Sequence, residues 1–239
     1  MCGRLNVTDS PGIRSLCEQL EISLWPDSGM VMQRFVRATD RVSVVFERDG
    51  KREMHNAIWW LLLDKQAGPS GTVFKPSKYT SFNTRSDKLN VPRSAGYKPF
   101  REQRCIIPAA GFGETLGRGA GAVFHDLVAD PNESLAMGGL YRWWQGTSER
   151  GDTFYELSCS VVTLPPHPQL MPIHNKASPL MLSPEDNSVQ RWLDSRVSTT
   201  EALDDLLTPR LRHTFTVVPI DKPSSHQQTG DSFTLSPDD

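Results

Sequence analysis

Short stretches typical of β-strands, each bounded by turn signals, recur along this chain and constrain its fold more than any other feature. Residues 42–46 alternate like a strand, Asp49-Gly50 is a strong hairpin signal, and residues 54–63 complete the predicted hairpin. Other short strands are predicted at residues 105–107, 122–128, 135–141, 157–163 and 214–218. Because few of these strands alternate with helices, the pattern favours a mixed α+β fold with helices on the outside over a βαβ repeat.

Helix signals are fewer than strand signals. Ser10-Pro11 predicts a helix start, with Ser10 as the N-cap and Pro11 in the first turn. Ser183-Pro184 predicts a second start, for a helix that runs through Leu193, and a short helix is expected at about residues 200–207.

The connections between these elements are predicted from their turn residues. Residues 122–128 and 135–141 are expected to pair as a hairpin around Asp130-Pro131-Asn132. Residues 64–78 are rich in glycine, proline, serine and lysine, which predicts a loop. Residues 1–222 are interpreted as a single domain, and the polar residues 223–239 as a disordered C-terminal tail.

Composition narrows the class of protein. The chain has 239 residues, of which 37% are hydrophobic and 23% charged, as in soluble globular proteins that need no disulfides. The formal net charge is −2, so any nucleic acid must be bound by a local basic patch. The four cysteines, Cys2, Cys17, Cys105 and Cys159, are widely spaced without a C-x-x-C pair. We therefore expect no metal and no cofactor.

The N-terminus lacks a signal peptide pattern, and the longest apolar run is too short to cross a bilayer. We therefore expect no membrane association and a reducing, cytoplasmic environment in which free thiols survive.

A cysteine follows the initiator methionine, and a small residue there permits removal of Met1. The chain would then start with the α-amine and thiol of Cys2 on neighbouring carbons. Such a 1,2-aminothiol condenses with an aldehyde, first as an imine and then as a thiazolidine ring. An α-amine has a pKa of about 7.7–8.0, so part of it is neutral and nucleophilic at cellular pH. Gly3 allows close backbone approach, and Arg4 offers a fixed cation for a phosphate or carboxylate.

Two polar stretches follow this start at a distance. Asn83 and Arg85 lie in Ser-Phe-Asn-Thr-Arg, downstream of the Trp59-Trp60 pair. Glu114 ends Gly-Phe-Gly-Glu, after the strand that begins at Cys105. Taken singly, these residues would be an ordinary turn, a pair of core tryptophans and a solvated carboxylate.

Two further candidate residues, Thr163 and His174, lie in the second half of the chain. Thr163 ends an apolar strand, and His174 follows in Met-Pro-Ile-His. Alone, His174 would be a structural histidine. With Met-Cys-Gly-Arg at the start, however, the ordered set resembles the SRAP family, the abasic-site-processing (SOS response-associated peptidase) proteins. The matches extend from Cys2 to about Val218.

The resemblance implies a fold, a substrate and a reaction. The fold would be SRAP-like, with a mostly antiparallel, barrel-like β core. The partner would be single-stranded DNA containing abasic sites, bound by a monomer. Cys2 would form a covalent thiazolidine crosslink with the open-chain aldehyde, and the same site would remove Met1 as a peptidase. Such a protein would be cytoplasmic, associated with the nucleoid in a bacterium, or nuclear in a eukaryote.

The resemblance also implies roles for single residues. Glu114 and His174 would act as general acid and base, with the assignment of protons left open. Asn83 would hold the Cys2 amine or a sugar hydroxyl. DNA contacts would come from Arg4, Arg85 and Lys176 on phosphates, from Thr163, and from Trp59 or Trp60 as a wedge or stacking platform for a base.

The chain departs from the family pattern around the predicted DNA rim. Phe35-Val36-Arg37-Ala38-Thr39 lacks the usual asparagine and proline, and Thr115 replaces an aromatic residue after Glu114. Lys176 stands where arginine is usual, with one extra residue before Pro179.

Two other functions remain open at the level of sequence. Met-Cys-Gly also starts glutamine amidotransferases in which the N-terminal cysteine is the nucleophile. A non-catalytic single-stranded DNA binder would also fit the altered rim. Ammonia release from glutamine would indicate the first function, and DNA release on denaturation the second.

Overall fold

The computed structural model describes residues 3–117 and 119–238; Met1, Cys2, Arg118 and Asp239 lie outside the described residues. Its strands are β1 (Arg4–Val7), β2 (Ile22–Leu24), β3 (Gln33–Arg37), β4 (Arg41–Arg48), β5 (Lys51–Ile58), β6 (Leu63–Gly68), β7 (Gly71–Pro76), β8 (Asn83–Arg85), β9 (Arg104–Ala109), β10 (Gly111–Leu116), β11 (Val123–Ala129), β12 (Leu135–Thr147), β13 (Thr153–Leu164), β14 (Ser178–Pro179), β15 (Met181–Leu182), β16 (Phe215–Ile220) and β17 (Phe233–Leu235). Its α-helices are α1 (Pro11–Gln19), α2 (Tyr97–Glu102) and α3 (Ser188–Leu193), with short 3-10 helices at Ser86–Lys88, Gly119–Gly121, Pro168–Leu170 and Glu201–Leu203.

The larger sheet has the strand order β14-β13-β12-β9-β4-β5-β2, with β15 against β12 and β8 against β13. A parallel pairing of Ser158 in β13 with Ile58 in β5 closes strands β13, β12, β9, β4 and β5 into a barrel. Most of its pairings are antiparallel, and closure protects strand edges that would otherwise be open. The prediction of a mixed, mostly antiparallel and barrel-like α+β fold with peripheral helices is confirmed.

A second sheet has the order β17-β16-β11-β10-β1-β3 and places β1, near the start of the chain, between β10 and the edge strand β3. Arg4 of β1 lies opposite Gly113 of β10 and opposite Arg37 of β3. Phe112 packs edge-to-face on Phe215 in the same hydrophobic cluster that lines the barrel. This packing fixes β1 and β10 against the barrel, so the segment that follows Cys2 is held on both sides.

The predicted hairpin of residues 122–128 and 135–141 is wrong. β11 pairs with β10 and β16, whereas β12 pairs with β9 and β13 in the other sheet. The first seven residues of β12 are all buried, so this strand needs partners on both edges and packing on both faces. The Asp130-Pro131-Asn132 turn therefore connects two sheets.

The predicted loop at residues 64–78 is a hairpin of β6 and β7. The turn signals mark only its tip, where Gly71 adopts a φ of 103°. A Cβ atom at Gly71 would lie 2.4 Å from the carbonyl oxygen of Thr147, so a side chain at this position would push the hairpin away from β12.

The C-terminal residues expected to be disordered are ordered in the described part. Phe233, Thr234 and Leu235 form β17 and pair with β16. Leu235 joins the main hydrophobic cluster, and the Asp238 N–H donates to the carbonyl oxygen of Leu211 at 2.9 Å. The composition of this tail is polar, but a single edge strand needs only one buried side chain and a partner with unpaired backbone groups.

The helix starts were predicted with mixed success. α1 begins at Pro11, and the Ile13 N–H donates to the Ser10 hydroxyl, as predicted. The later helix begins at Ser188 instead of near Ser183, because Asn187 adopts a left-handed conformation with φ 64° that breaks the helical path before it. The expected helix at residues 200–207 is reduced to one 3-10 turn at Glu201–Leu203.

Candidate functional site

Glu114 lies in the middle of the second sheet, on β10, and only 2% of it is exposed. Burial removes water from the carboxylate and thereby raises the pKa of Glu114 to about 7, although the Arg4 guanidinium acts in the opposite direction. A carboxyl with this pKa is present as both acid and base at neutral pH. It is therefore suited to proton transfer.

His174 is buried beside Glu114 on the connection between β13 and β14. Its backbone N–H donates to the carbonyl oxygen of Leu170 at 2.7 Å, which joins it to the 3-10 helix Pro168–Leu170. Its Nδ1 lies 3.2 Å from Oε2 of Glu114 and 3.1 Å from the carbonyl oxygen of Thr115. The structure therefore brings Glu114 and His174 together.

The Thr115 carbonyl fixes the tautomer of His174. A carbonyl oxygen only accepts hydrogen bonds, so Nδ1 of His174 carries the proton, and Nε2 carries the lone pair when the ring is neutral. Burial lowers the pKa of His174, an effect that outweighs the hydrogen bond to Thr115. The ring is thus favoured in its neutral form, with Nε2 as a base. No sequence pattern could have indicated Thr115, because its contribution is a backbone group.

Arg4 is buried, with 8% exposed, and holds backbone together inside the protein. Its Nη2 donates to the carbonyl oxygens of Glu114 (3.1 Å) and His125 (3.0 Å), and its Nη1 lies 3.4 Å from Oδ1 of Asp126. We therefore assign Arg4 to positioning β1, β10 and β11. This corrects the predicted phosphate contact, because the guanidinium is enclosed.

Gly113 makes room for the Arg4 guanidinium. A Cβ atom at Gly113 would lie 2.3 Å from Nε and 2.4 Å from Cζ of Arg4. Any side chain at this position must displace the guanidinium from under Glu114. Glycine thus permits the close approach of β1 to the strand that carries the carboxylate.

Asn83 and Arg85 lie on β8, which pairs in parallel with β13. The register places Asn83 opposite Val161 and Arg85 opposite Thr163. Between them, the Thr84 hydroxyl lies 2.8 Å from the Ser160 hydroxyl and fixes the short strand from below. Asn83 and Arg85 therefore present their side chains on the same face of β8.

Thr163 and Lys176 line one cleft together with Arg85, and its volume is about 500 Å³. Arg85 is exposed and pairs with Asp87 at 2.8 Å. Thr163 is buried at the wall of the cleft, and its hydroxyl has no hydrogen-bond partner among residues 3–117 and 119–238. Lys176 also lines a neighbouring cleft of about 350 Å³ with His174 and Thr115, so this cation joins the two clefts.

The two neighbouring tryptophans have different environments. Trp59 is completely buried in the barrel, and its Nε1 donates to the carbonyl oxygen of Phe82 at 2.9 Å. No face of its ring is available to a base, which contradicts the predicted stacking role of Trp59. Trp60 is half-buried and packs at a tilt on Phe82, with ring centroids 5.6 Å apart.

Cys2 was predicted as the nucleophile and lies outside the described residues. Its chain neighbour Gly3 is described, and the Gly3 carbonyl accepts a hydrogen bond from the Ala38 N–H at 3.3 Å. Gly3 directly precedes Arg4, whose partner across the sheet is next to Glu114 in β10.

Within the described residues, no group of three or more His, Cys, Asp or Glu side chains is arranged to hold a metal ion. None of the helices in that part of the chain combines the length and apolarity that a membrane crossing needs.

Comparisons with known proteins agree on one family. The chain is 24% identical over 210 residues to the abasic site processing protein YoqW of Bacillus subtilis, which covers 87% of each chain. It is 23% identical to YobE of the same species, another abasic site processing protein, over 87% of this chain and 89% of the relative.

Solved structures show the same fold. A protein from Bacteroides thetaiotaomicron, 18% identical, superposes with a TM-score of 0.67 over 94% of this chain and 97% of its own. A protein from Bordetella bronchiseptica, 14% identical, has the same TM-score over 93% and 100%. The family model of the SOS response associated peptidase (SRAP) matches residues 1–224. The chain therefore belongs to the SRAP family.

Proposed function

We propose that the protein processes abasic sites in single-stranded DNA, by forming a covalent crosslink through Cys2 after Met1 has been removed. The observation that carries this proposal is the buried pair of Glu114 and His174, with a carboxyl whose pKa is about 7 and a histidine held in one tautomer. Glu114 lies on β10, which pairs with β1, the strand that begins two residues after Cys2. Abasic site processing proteins among the relatives support the substrate.

The chemistry requires no oxidant or cofactor. The Cys2 amine adds to the C1′ aldehyde of the opened sugar, and the resulting carbinolamine loses its hydroxyl group as water to give an imine. The Cys2 thiol then adds across the C=N bond, so that a carbon–sulfur bond forms and the nitrogen receives a proton. One water molecule is released overall, and the product is a thiazolidine.

Glu114 and His174 divide the proton transfers by their protonation states. The acid form of Glu114 protonates the sugar ring oxygen during opening, or the hydroxyl group that leaves the carbinolamine. Nε2 of neutral His174 accepts a proton from the thiol or amine as the new bonds form. Asn83 hydrogen-bonds the Cys2 amine or a sugar hydroxyl and so keeps the reacting atoms in line.

DNA binding is assigned to the two clefts that Lys176 lines. Arg85 and Lys176 supply positive charge for phosphates at a local site, as the overall charge of −2 requires. Thr163 offers a hydroxyl at the wall of the same cleft. Trp60 provides the half-buried ring on which a flanking base can stack.

The same site would remove Met1. While Met1 is present, the Cys2 nitrogen is part of an amide and cannot form the imine. The Cys2 thiol can attack the Met1 carbonyl, with Glu114 or His174 delivering a proton to the leaving amine, and hydrolysis of the thioester then restores the free thiol. Removal of Met1 is thus a precondition of crosslinking.

Intact-mass measurement of the purified protein tests this proposal, with and without single-stranded DNA that carries one abasic site. We expect loss of the mass of Met1, and a heat-stable adduct with the mass of protein plus DNA minus one water.

Cys2→Ala should abolish the adduct. Cys17→Ala is the control and should crosslink normally, because Cys17 is a buried thiol whose pKa is raised by burial to about 11. A Cys2→Ala protein that crosslinks as well as the unmodified one would disprove the role of Cys2. DNA release on denaturation of the unmodified protein would indicate a non-catalytic binder.

A further inference from the structure

The segment from Ser224 to Asp238 lies almost entirely beyond residues 1–224, which the family model matches, and it contacts His167 and Asp126 near the candidate site. β17 within it adds to the edge of the second sheet by pairing with β16. The sequence predicted a disordered tail here. The contacts of its last described residue, Asp238, are the most specific.

Asp238 is tied to the body of the protein by two reciprocal hydrogen bonds. The Asp238 N–H donates to the carbonyl oxygen of Leu211 at 2.9 Å, and the Leu211 N–H donates to Oδ2 of Asp238 at 2.7 Å. Leu211 is buried in the main hydrophobic cluster. The carboxylate of Asp238 is thereby fixed in direction, despite its place near the end of the chain.

The Asp238 carboxylate holds the buried ring of His167. Oδ2 lies 2.9 Å and Oδ1 3.2 Å from Nε2 of His167. Nδ1 of the same ring accepts a hydrogen bond from the Gln169 N–H at 3.2 Å, so in the neutral ring Nε2 carries the proton and donates it to Asp238. Both nitrogens of His167 are satisfied in this arrangement alone.

His167 lies at the beginning of the short 3-10 segment that leads to His174. As the N-cap of the 3-10 helix Pro168–Leu170, it fixes the first N–H group of that helix. Leu170 at its end accepts hydrogen bonds from the N–H groups of Ile173 (2.9 Å) and His174 (2.7 Å). The His174 ring then reaches Glu114 and Thr115. Because the Leu170 N–H also donates to the His167 carbonyl at 2.9 Å, hydrogen bonds and the short backbone of this turn together link Asp238 to the acid–base pair.

The same C-terminal segment contacts the opposite side of the site. Nδ1 of His226 donates to Oδ2 of Asp126 at 2.9 Å, and Oδ1 of Asp126 lies 3.4 Å from Nη1 of Arg4. Arg4 supports β10 beneath Glu114. The segment is thus anchored behind both Glu114 and His174.

We propose that Asp238 is a positioning residue, which holds the His174 loop through His167 and so sets the rate of proton transfer in the site. This inference rests on the proposed function for its kinetic consequence, but the contact chain itself is independent of the reaction. Removal of the carboxylate should let the turn at 167–170 reorient, and a small displacement of a catalytic group from its line of attack costs up to about 100-fold in rate.

The test uses single-turnover crosslinking, in which the end point counts active molecules and the rate constant reports positioning. For Asp238→Ala we expect a rate constant at saturating DNA that is about tenfold lower, because a displaced His174 loses only part of the roughly 100- to 10 000-fold that general acid–base catalysis contributes. The end point and the DNA concentration for half-maximal rate should stay unchanged. Asp238→Asn keeps an oxygen acceptor and should restore most of the rate, and Asp231→Ala, at an exposed residue of the same segment, should have no effect.

A double-mutant cycle separates positioning from loss of structure. In a His174→Ala background, Asp238→Ala should reduce the rate no further, since its effect passes through His174. A full tenfold further loss, or a lowered end point with an unchanged rate constant, would overturn the proposal.

The ¹⁵N chemical shifts of the His174 ring nitrogens report the tautomer of this ring. They therefore test, without DNA, whether the contacts from Asp238 through His167 position His174. We expect Asp238→Ala to shift them towards a mixture of tautomers, and Asp231→Ala to leave them in place. If the unmodified protein forms no crosslink but these shifts occur, the proposed function fails while the positioning role of Asp238 stands. If the His174 signals are identical in Asp238→Ala, the positioning role is disproved whatever the reaction.

Discussion

His174 and Glu114 share one short contact, 3.2 Å between Nδ1 and Oε2, and the Thr115 carbonyl oxygen lies 3.1 Å from the same nitrogen. The carbonyl fixes the tautomer of the ring, and the burial of both side chains raises the pKa of Glu114 to about 7 and lowers the pKa of His174. A carboxylic acid and a neutral imidazole can therefore coexist near neutral pH. A protonated carboxyl beside a neutral imidazole is suited to general acid–base catalysis.

Replacement of Glu114 by glutamine should slow crosslinking and change its pH dependence. The acid form of Glu114 is lost as pH rises through about 7, whereas an α-amine becomes nucleophilic as pH rises towards the ordinary value of about 7.7–8.0 for such a group. The native rate should therefore pass through a maximum. Glu114→Gln should be about 100-fold slower and keep only the rising limb. A pH–rate profile from pH 5 to 9 measures this, and an unchanged falling limb would assign that limb to another group.

The same substitution should stabilise the protein at high pH. The folded-state pKa of Glu114, about 7, lies above the ordinary value of 4.5, so the folded protein binds more protons than the unfolded chain between these pH values. Stability from this group is present below pH 4.5 and is lost as pH rises to 7, by about 3 kcal/mol. Urea unfolding of both proteins should show the advantage of Glu114→Gln growing from pH 4.5 to pH 8. A difference that stays constant with pH would contradict the raised pKa.

A methyl group at position 113 should displace Arg4. The new Cβ would lie within 2.4 Å of three guanidinium atoms. The hydrogen bonds from the Arg4 side chain to the carbonyl oxygens of Glu114 and His125 would then be strained or lost. We expect Gly113→Ala to destabilise the protein by about 1–3 kcal/mol and to slow crosslinking. Gly121→Ala is the matched control, because nothing lies within 4 Å of a Cβ there. Equal unfolding midpoints for the two variants would rule out the close packing of Gly113 on Arg4.

The parts of this fold that were predictable from sequence are those set by neighbouring residues. The Ser10 cap, the start of α1 and the hairpin of β4 and β5 follow from local chemistry. β11 and β12 belong to different sheets, and β17 pairs with β16, because distant strands offer free edges to them. Periodicity does not contain that information.

The candidate site shows the same division. The residue types of Glu114 and His174, and their order along the chain, were sufficient to select them by resemblance. Arg4 was misassigned because its partners are carbonyl groups more than 100 residues away, and nothing near it in sequence distinguishes a buried arginine from one that binds phosphate. The sequence likewise does not distinguish Trp59 from its neighbour Trp60, although Trp59 is fully buried and Trp60 only half-buried.

Substitution of the two tryptophans should separate stability from DNA binding. Trp59→Ala empties a fully buried site in the barrel and should lower the free energy of unfolding by about 3–5 kcal/mol. Trp60→Ala should cost less stability but weaken binding of single-stranded DNA by about 1–3 kcal/mol, the usual value of one stacked base. Urea unfolding and fluorescence anisotropy with intact single-stranded DNA measure the two effects. Unchanged affinity in Trp60→Ala would exclude it as a stacking platform.

The salt dependence of DNA binding should identify the phosphate contacts. Lys176 lines both clefts, and neutralising one phosphate of a single strand contributes about 0.7 to the slope of log affinity against log salt concentration. Lys176→Ala should therefore lower that slope by about 0.7, and Arg85→Ala by a similar amount, because its pairing with Asp87 is exposed and weak. Lys98→Ala is the matched control, since this exposed helical cation lines neither cleft and faces Glu102 at 3.6 Å. If Lys98→Ala and Lys176→Ala change the slope equally, the contribution of Lys176 is no more than general surface charge, and the clefts are not the path of the DNA.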